Sequence, residues 1–180
     1  ALSLFFLIGT SAAQQERKPL KYKIRQSNGS ELLPPIVFLM HGYGGNNKQF
    51  NQAMKMIDDR FLIVSMNGPH KKWFGLMNLW FEYKISNGDT TSNQEQFDHS
   101  INRVLFTMGV IKQKYNYDPD KIYIGGYSQG AIVAYKLALL YPEKFAGIVI
   151  HSARLPVEYS IKSPSDIYQN LDMLIIHGNH

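Results

Sequence analysis

The chain has 180 residues, 44% hydrophobic and 18% charged, which excludes a disordered tail, suits one domain and allows a sizeable core. Eight Pro and fourteen Gly are scattered, which excludes collagen-like and linker proteins, and the lack of Cys excludes disulfides, thiolate metal sites, a Cys nucleophile and a Cys-borne lipid anchor. The formal charge is +5, but Lys and Arg stand singly or in pairs (Arg17-Lys18, Lys71-Lys72) without any nucleic-acid motif, so the charge reads as solubility and no nucleic-acid partner is expected.

The first segment, Ala1 to Ile8, is apolar. Small residues follow through Ser11-Ala12-Ala13, and then the polar stretch Gln14-Gln15-Glu16-Arg17-Lys18. This is the pattern of a secretory signal peptide over 1–13, with Gln14 as the first mature residue and a secreted or periplasmic location. The run is too short for a bilayer core, which takes about twenty residues, so no stable membrane anchor is expected. The basic segment that opens such signals is absent. At the other end Leu174-Ile175-Ile176 leads into His177-Gly178-Asn179-His180 with no following element. The sequence therefore reads as cut at both ends.

Between these ends apolar strands alternate with amphipathic helices. Leu20 to Gln26 predicts an opening strand, closed by Asn28-Gly29. Ile36 to Met40 is a continuous apolar strand of the kind buried on both faces. Lys48 to Asp58 has helical spacing, and Phe61 to Val64 predicts the next strand. Residues 66–91 form an aromatic-rich excursion. Ser92 to Tyr115 predicts a long helix with its apolar face at Phe97, Ile101, Val104, Leu105, Met108 and Ile111. Ser92 and Glu95 are spaced as a capping box. Past Asp118-Pro119-Asp120 come a strand at Ile122 to Ile124, a helix at Ala131 to Tyr141 and a strand at Gly147 to Ile150. This order predicts an α/β fold, a mostly parallel sheet with helices on both faces.

The chemistry is concentrated in Gly126-Tyr127-Ser128-Gln129-Gly130, a Gly-x-Ser-x-Gly sequence between a predicted strand and a predicted helix. A nucleophile in that position sits in a strained turn, so its neighbours two positions away must be small. The helix that follows aims its N-terminal amides at the anion formed on attack. The earlier apolar strand ends in His41-Gly42-Tyr43-Gly44-Gly45-Asn46, whose glycines allow backbone to approach a ligand closely. Ser128 is thus the candidate nucleophile, the Tyr43 and Gln129 amides the candidate oxyanion donors, and Gly42 and Gly44 the candidate substrate-binding positions. His41 reads as a structural residue. Asp89, Asp98 and Asp172 show no metal-ligand spacing with the histidines, and neither metal nor organic cofactor is expected.

Together these motifs resemble the α/β-hydrolase superfamily, and Gly-Tyr-Ser-Gln-Gly-Ala resembles the nucleophile turn of its phospholipase/carboxylesterase family, which includes acyl-protein thioesterases. Leu79-Trp80-Phe81-Glu82 is similar to that family's Trp-Phe-Asp segment, with Glu in place of Asp. Leu174 to Gly178 is similar to the strand whose His-Gly precedes the catalytic Asp. The resemblance covers about residues 33–180, making 14–180 an α/β-hydrolase domain with its last strand and helix missing. It implies Trp80 as a candidate wall of the acyl pocket, whereas on their own the aromatics Trp73, Phe74, Trp80 and Phe81 read equally as packing of the excursion against the sheet. It also implies an acid Asp at position 181 and a His base further on, both outside the sequence. His151-Ser152-Ala153 departs from the family's Ser-Gly pair at that strand end.

The expected function is a serine carboxylic-ester hydrolase, acting on a small ester or acyl substrate and inactive as residues 1–180 alone. A non-catalytic binding protein of the same fold and an acyltransferase using the same serine are the alternatives. Acyl and alcohol specificity and oligomeric state are not encoded in any motif found.

Overall fold

A computed structural model describes residues 18–86, 89–153 and 171–178. The expected signal peptide over 1–13 and His180 lie outside the described residues. The described chain opens with β1 (Tyr22–Arg25), β2 (Ile36–Met40), the short helix α1 (Asn51–Met56) and β3 (Leu62–Met66). Two antiparallel hairpins follow, β4 (His70–Lys72) with β5 (Met77–Leu79) and β6 (Tyr83–Ser86) with β7 (Asp89–Ser92). Then come α2 (Gln94–Lys114), β8 (Ile122–Tyr127), α3 (Gln129–Leu140), β9 (Gly147–His151) and β10 (Asp172–Ile176).

Six strands form one sheet in the order β1-β3-β2-β8-β9-β10. β1 runs antiparallel to β3, and every other pairing is parallel. Two adjacent runs, Ile-Val-Phe-Leu-Met in β2 and Leu-Ile-Val-Ser-Met in β3, are buried at every residue. That is the composition a parallel sheet covered on both faces requires. Because successive side chains alternate faces, Phe38 and Met40 join the large core with Trp80, Phe81, Phe97 and Ile124, while Val37 and Leu39 pack with Met54 and Ile63 in a smaller one.

The long helix buries the stripe its spacing predicts: Phe97, Ile101, Val104, Met108 and Ile111. Its cap differs from the sequence reading. Asn93 is the N-cap, its side chain accepting from the Gln96 amide, and Ser92 instead closes β7. The described residues of the 66–91 excursion form the two hairpins. The turn of the first carries Trp73 and Phe74 at φ 53°, followed by Gly75 at 88°. Among the described residues no helix is long and apolar enough to cross a membrane.

In-register pairing sets Met40 opposite both Met66 and Gly126, and Tyr127 opposite His151. The carboxyl ends of β2, β3, β8 and β9 therefore finish on one rim. The Gly-x-Ser-x-Gly turn and the His41 loop leave the sheet there, side by side.

Candidate active site

Ser128 is the single residue between the end of β8 and the start of α3. It holds φ 51° and ψ −116°, a left-handed conformation that costs a non-Gly residue about 1–3 kcal/mol. The turn is held from both sides: Ser128 N–H donates to His151 O at 2.9 Å, and its own carbonyl accepts from Ala131 N–H at 3.0 Å. The flanking glycines are demanded by space. A Cβ on Gly126 would lie 2.5 Å from the Gly130 carbonyl carbon, and one on Gly130 would lie 2.2 Å from Met40 O. The first turn of α3 thus sits directly on the backbone of β2, a closeness no larger residue permits.

That closeness brings the His41 loop to the serine. A Cβ on Gly42 would stand 3.5 Å from Ser128 Cβ and 2.9 Å from Tyr127 Cδ1. The loop is fixed by its own amides: Gly42 N–H donates to Gln49 Oε1 at 3.2 Å, Gly44 N–H to Asn78 O at 3.0 Å and Gly45 N–H to Gly42 O at 3.0 Å. Asn78 Nδ2 closes the loop by donating to Gly45 O at 2.7 Å. Gly44 takes φ +76°, which the loop reversal needs. Among the described residues the Tyr43 N–H has no backbone acceptor. Gln129 opens α3, where a helix leaves its amides without intrahelical acceptors. Both candidate oxyanion donors therefore stand in the two backbone segments that meet at Ser128.

A buried polar layer lies behind this pair. The Gln129 side chain accepts from Trp80 N–H at 3.0 Å and donates to Phe81 O at 2.7 Å. The Trp80 indole N–H donates to His41 O at 2.8 Å. His41 Nε2 accepts from Gly68 N–H at 2.9 Å, so its Nδ1 carries the hydrogen directed at Gly42 O, 2.7 Å away. Burial is the main reason its pKa is pushed down to about 4; the Gly42 contact opposes the shift and the Lys71 charge adds to it. His41 is a neutral, doubly engaged structural residue, as the sequence reading had it.

Trp80 has no exposed surface. Its ring packs 5.3 Å from the His41 ring and braces the loop from behind. The sequence reading credited Gln129 only with its backbone amide and missed its side chain. It also missed Asn78 and Gly68, because a loop brace carries no motif of its own.

The other described histidines do not complete the site. His151 lies opposite Tyr127 with ring centroids 5.2 Å apart, and His70 faces His99 at 3.4 Å between ring nitrogens. His177 is exposed and contacts the Gly178 carbonyl. Among the described residues no hydrogen bond joins the Ser128 hydroxyl to a histidine, and no group of three or more His, Asp or Glu side chains could hold a metal ion.

The model of the phospholipase/carboxylesterase family matches residues 27–180. Acyl-protein thioesterase 1 of Candida albicans is 29% identical over 170 residues, 85% of this chain and 71% of that protein. Feruloyl esterase B of Thermothelomyces thermophilus is 26% identical over 125 residues, 66% of this chain but 39% of that protein. The chain thus spans well under half the length of that esterase. The crystal structure of the Bacillus cereus carboxylesterase superposes with a TM-score of 0.74 at 20% identity, covering 93% of this chain and 74% of that one. The sheet order, the strand–Ser–helix turn and the matched residues agree: the chain belongs to the phospholipase/carboxylesterase family of α/β-hydrolases, whose relatives are esterases and thioesterases.

Proposed function

We propose that the protein is a serine carboxylic-ester hydrolase that works through an acyl-enzyme on Ser128. The observation that carries this is the strained Ser128 between β8 and α3, with the Gly42 loop packed against it. A strained Ser between strand and helix, with a glycine two positions away on each side, is the arrangement of a residue held for nucleophilic chemistry.

In the proposed reaction the Ser128 hydroxyl oxygen bonds to the acyl carbon as its proton passes to a His base. The carbonyl electron pair moves onto oxygen, where the Tyr43 and Gln129 amides stabilise it. Collapse expels the alcohol or thiol, which takes up the proton, and water repeats the sequence to free the acid. Gly42 and Gly44 give the substrate a close backbone surface. His41 is not the base, since both ring nitrogens are engaged. By resemblance to the family's strand-end His-Gly, the proposed acid Asp stands three positions after Gly178 and the proposed His base further on. Residues 1–180 alone are accordingly inert in this proposal, and no metal or cofactor takes part.

Carboxylic esters are the proposed substrate class, supported by the esterase and thioesterase names of the relatives. The Ala1 to Ala13 segment supports export and hence an extracytoplasmic ester. The test is hydrolysis of p-nitrophenyl esters of short acyl chains by the full-length protein. Ser128→Ala should lower turnover by about a millionfold; a variant that keeps a tenth of the activity would end the assignment.

A further inference from the structure

Two histidines from distant parts of the chain meet outside the Ser128 site. His70 opens β4, where it pairs with Leu79 of β5, and His99 lies in the second turn of α2. His70 Nε2 and His99 Nδ1 are 3.4 Å apart, and the ring centroids are 5.1 Å apart with the planes inclined at 59°. A straight N–H···N bond of that length, lying along both rings, would put the centroids about 5.7 Å apart. The rings are therefore tilted off the line that joins their nitrogens. Two imidazoles bound to one tetrahedral zinc ion at about 2.0–2.1 Å have nitrogens about 3.3–3.4 Å apart and centroids about 5.2 Å apart. Both observed separations match that arrangement.

The surroundings supply further donors and charge. Gln96 O lies 3.1 Å from His70 Nε2 and offers a backbone oxygen. An ion would take the place of the hydrogen that Nε2 directs at this carbonyl, and His70 would then carry its hydrogen on Nδ1. The pair borders an open space of about 620 Å³ whose other described walls include Asp98 and Glu95, the latter one helical turn before His99. None of its described lining residues is Lys or Arg. The two carboxylates lower the cost of bringing a doubly charged ion to the rings. His99 also borders a second cavity, with Lys18, Lys21, Lys71 and Arg103 in its walls. That side disfavours an ion held by charge alone, such as Ca²⁺ or Mg²⁺, whereas imidazole nitrogen suits zinc, copper and nickel.

We propose that His70 and His99 form a binding site for a late first-row divalent cation, zinc by its geometry, which straps β4 to α2. Two side-chain ligands make the ion exchangeable, and it takes no part in the reaction at Ser128. The site rests on no part of the esterase reading. Its consequence is structural: β4 pairs with β5, whose Asn78 closes the loop at Gly45, so the strap steadies the hairpin that braces this loop. An ion that binds only the folded arrangement stabilises it.

The test titrates zinc chloride into untagged full-length protein, followed by calorimetry. His70→Gln and His99→Asn each remove one imidazole, and circular dichroism checks their fold. One zinc ion bound at this pair is expected, at least tenfold more weakly in either variant and as in the parent for His177→Ala. Excess Ca²⁺ or Mg²⁺ should not displace it. Zinc should raise the urea midpoint of the parent and leave that of both variants where it was. Histidine-ring NMR of the parent reads the same point without any variant: the His70 and His99 signals should move on adding zinc. Zinc binding that is absent, or equally strong in both variants, overturns the site. So do His70 and His99 ring signals that stay in place at saturating zinc. Displacement by Ca²⁺ or Mg²⁺ would overturn the choice of a late first-row ion.

Discussion

The Gln129 side chain holds the Trp80 backbone: its Oε1 accepts the Trp80 N–H at 3.0 Å while its Nε2 donates to the next carbonyl, Phe81 O, at 2.7 Å. The residue that follows the nucleophile is thereby tied to the segment whose indole holds the His41 carbonyl. A Gln129→Leu substitution would keep the backbone amide but strand two buried backbone groups. Each such loss costs about 1–3 kcal/mol. The expected outcome is a fall in stability of about 2–6 kcal/mol, read as a lower urea midpoint with an unchanged slope. An unchanged midpoint would show that this layer does not hold the site.

His41 makes stability depend on pH. Its folded pKa of about 4 lies below the ordinary 6.5, so the folded protein binds this proton less readily than the unfolded chain. The contribution is complete above pH 6.5 and is lost as pH falls from 6.5 towards 4, in total by about 3 kcal/mol. Denaturant midpoints measured across that window should drop with falling pH, and His41→Gln should flatten the slope there. A slope identical in the two proteins would contradict the buried neutral state.

Two glycines in helices should respond oppositely to alanine. Gly130→Ala drives a methyl to within 2.2 Å of Met40 O, and rigid backbone cannot yield cheaply. It should destabilise by about 3 kcal/mol or more. Gly109 in α2 is exposed with nothing within 4 Å of an added Cβ, so Gly109→Ala should stabilise by about 1 kcal/mol through helix propensity. Thermal melts of both variants check the pair.

Ser128→Gly separates strain from chemistry. Glycine accepts φ 51° without penalty, so this variant should be about 1 kcal/mol more stable than the parent and catalytically dead. Ser128→Ala keeps a Cβ in the same conformation and should be equally dead without the gain. Equal stabilities for the two variants would show that the turn stores no strain.

Much of this was legible because hydrophobic period and turn chemistry are local signals. The continuous run Ile36 to Met40, the stripe of α2 and the strand–Gly-x-Ser-x-Gly–helix order each lie within a few residues. Boundaries shifted where a nearby competitor won: Asn93 displaced Ser92 as cap because Ser92 pairs with Tyr83 in β7. β8 runs on through Gly125 and Gly126, where pairing with β2 and β9 outweighs the weak strand preference of glycine. The antiparallel pairing of β1 left no mark in so short a segment. The pocket-wall and packing readings of Trp80 look alike in sequence, because its aromatic type suits both equally.

The central claim is that Ser128 is the acylated nucleophile. Its most direct measurement is active-site labelling of the full-length protein with a fluorophosphonate, followed by intact mass and peptide mapping. One adduct per chain is expected, carried on the peptide containing Ser128, with loss of esterase activity in proportion to labelling. Ser128→Ala should take up no label. An adduct on another residue, or esterase activity that persists in fully labelled protein, would contradict it.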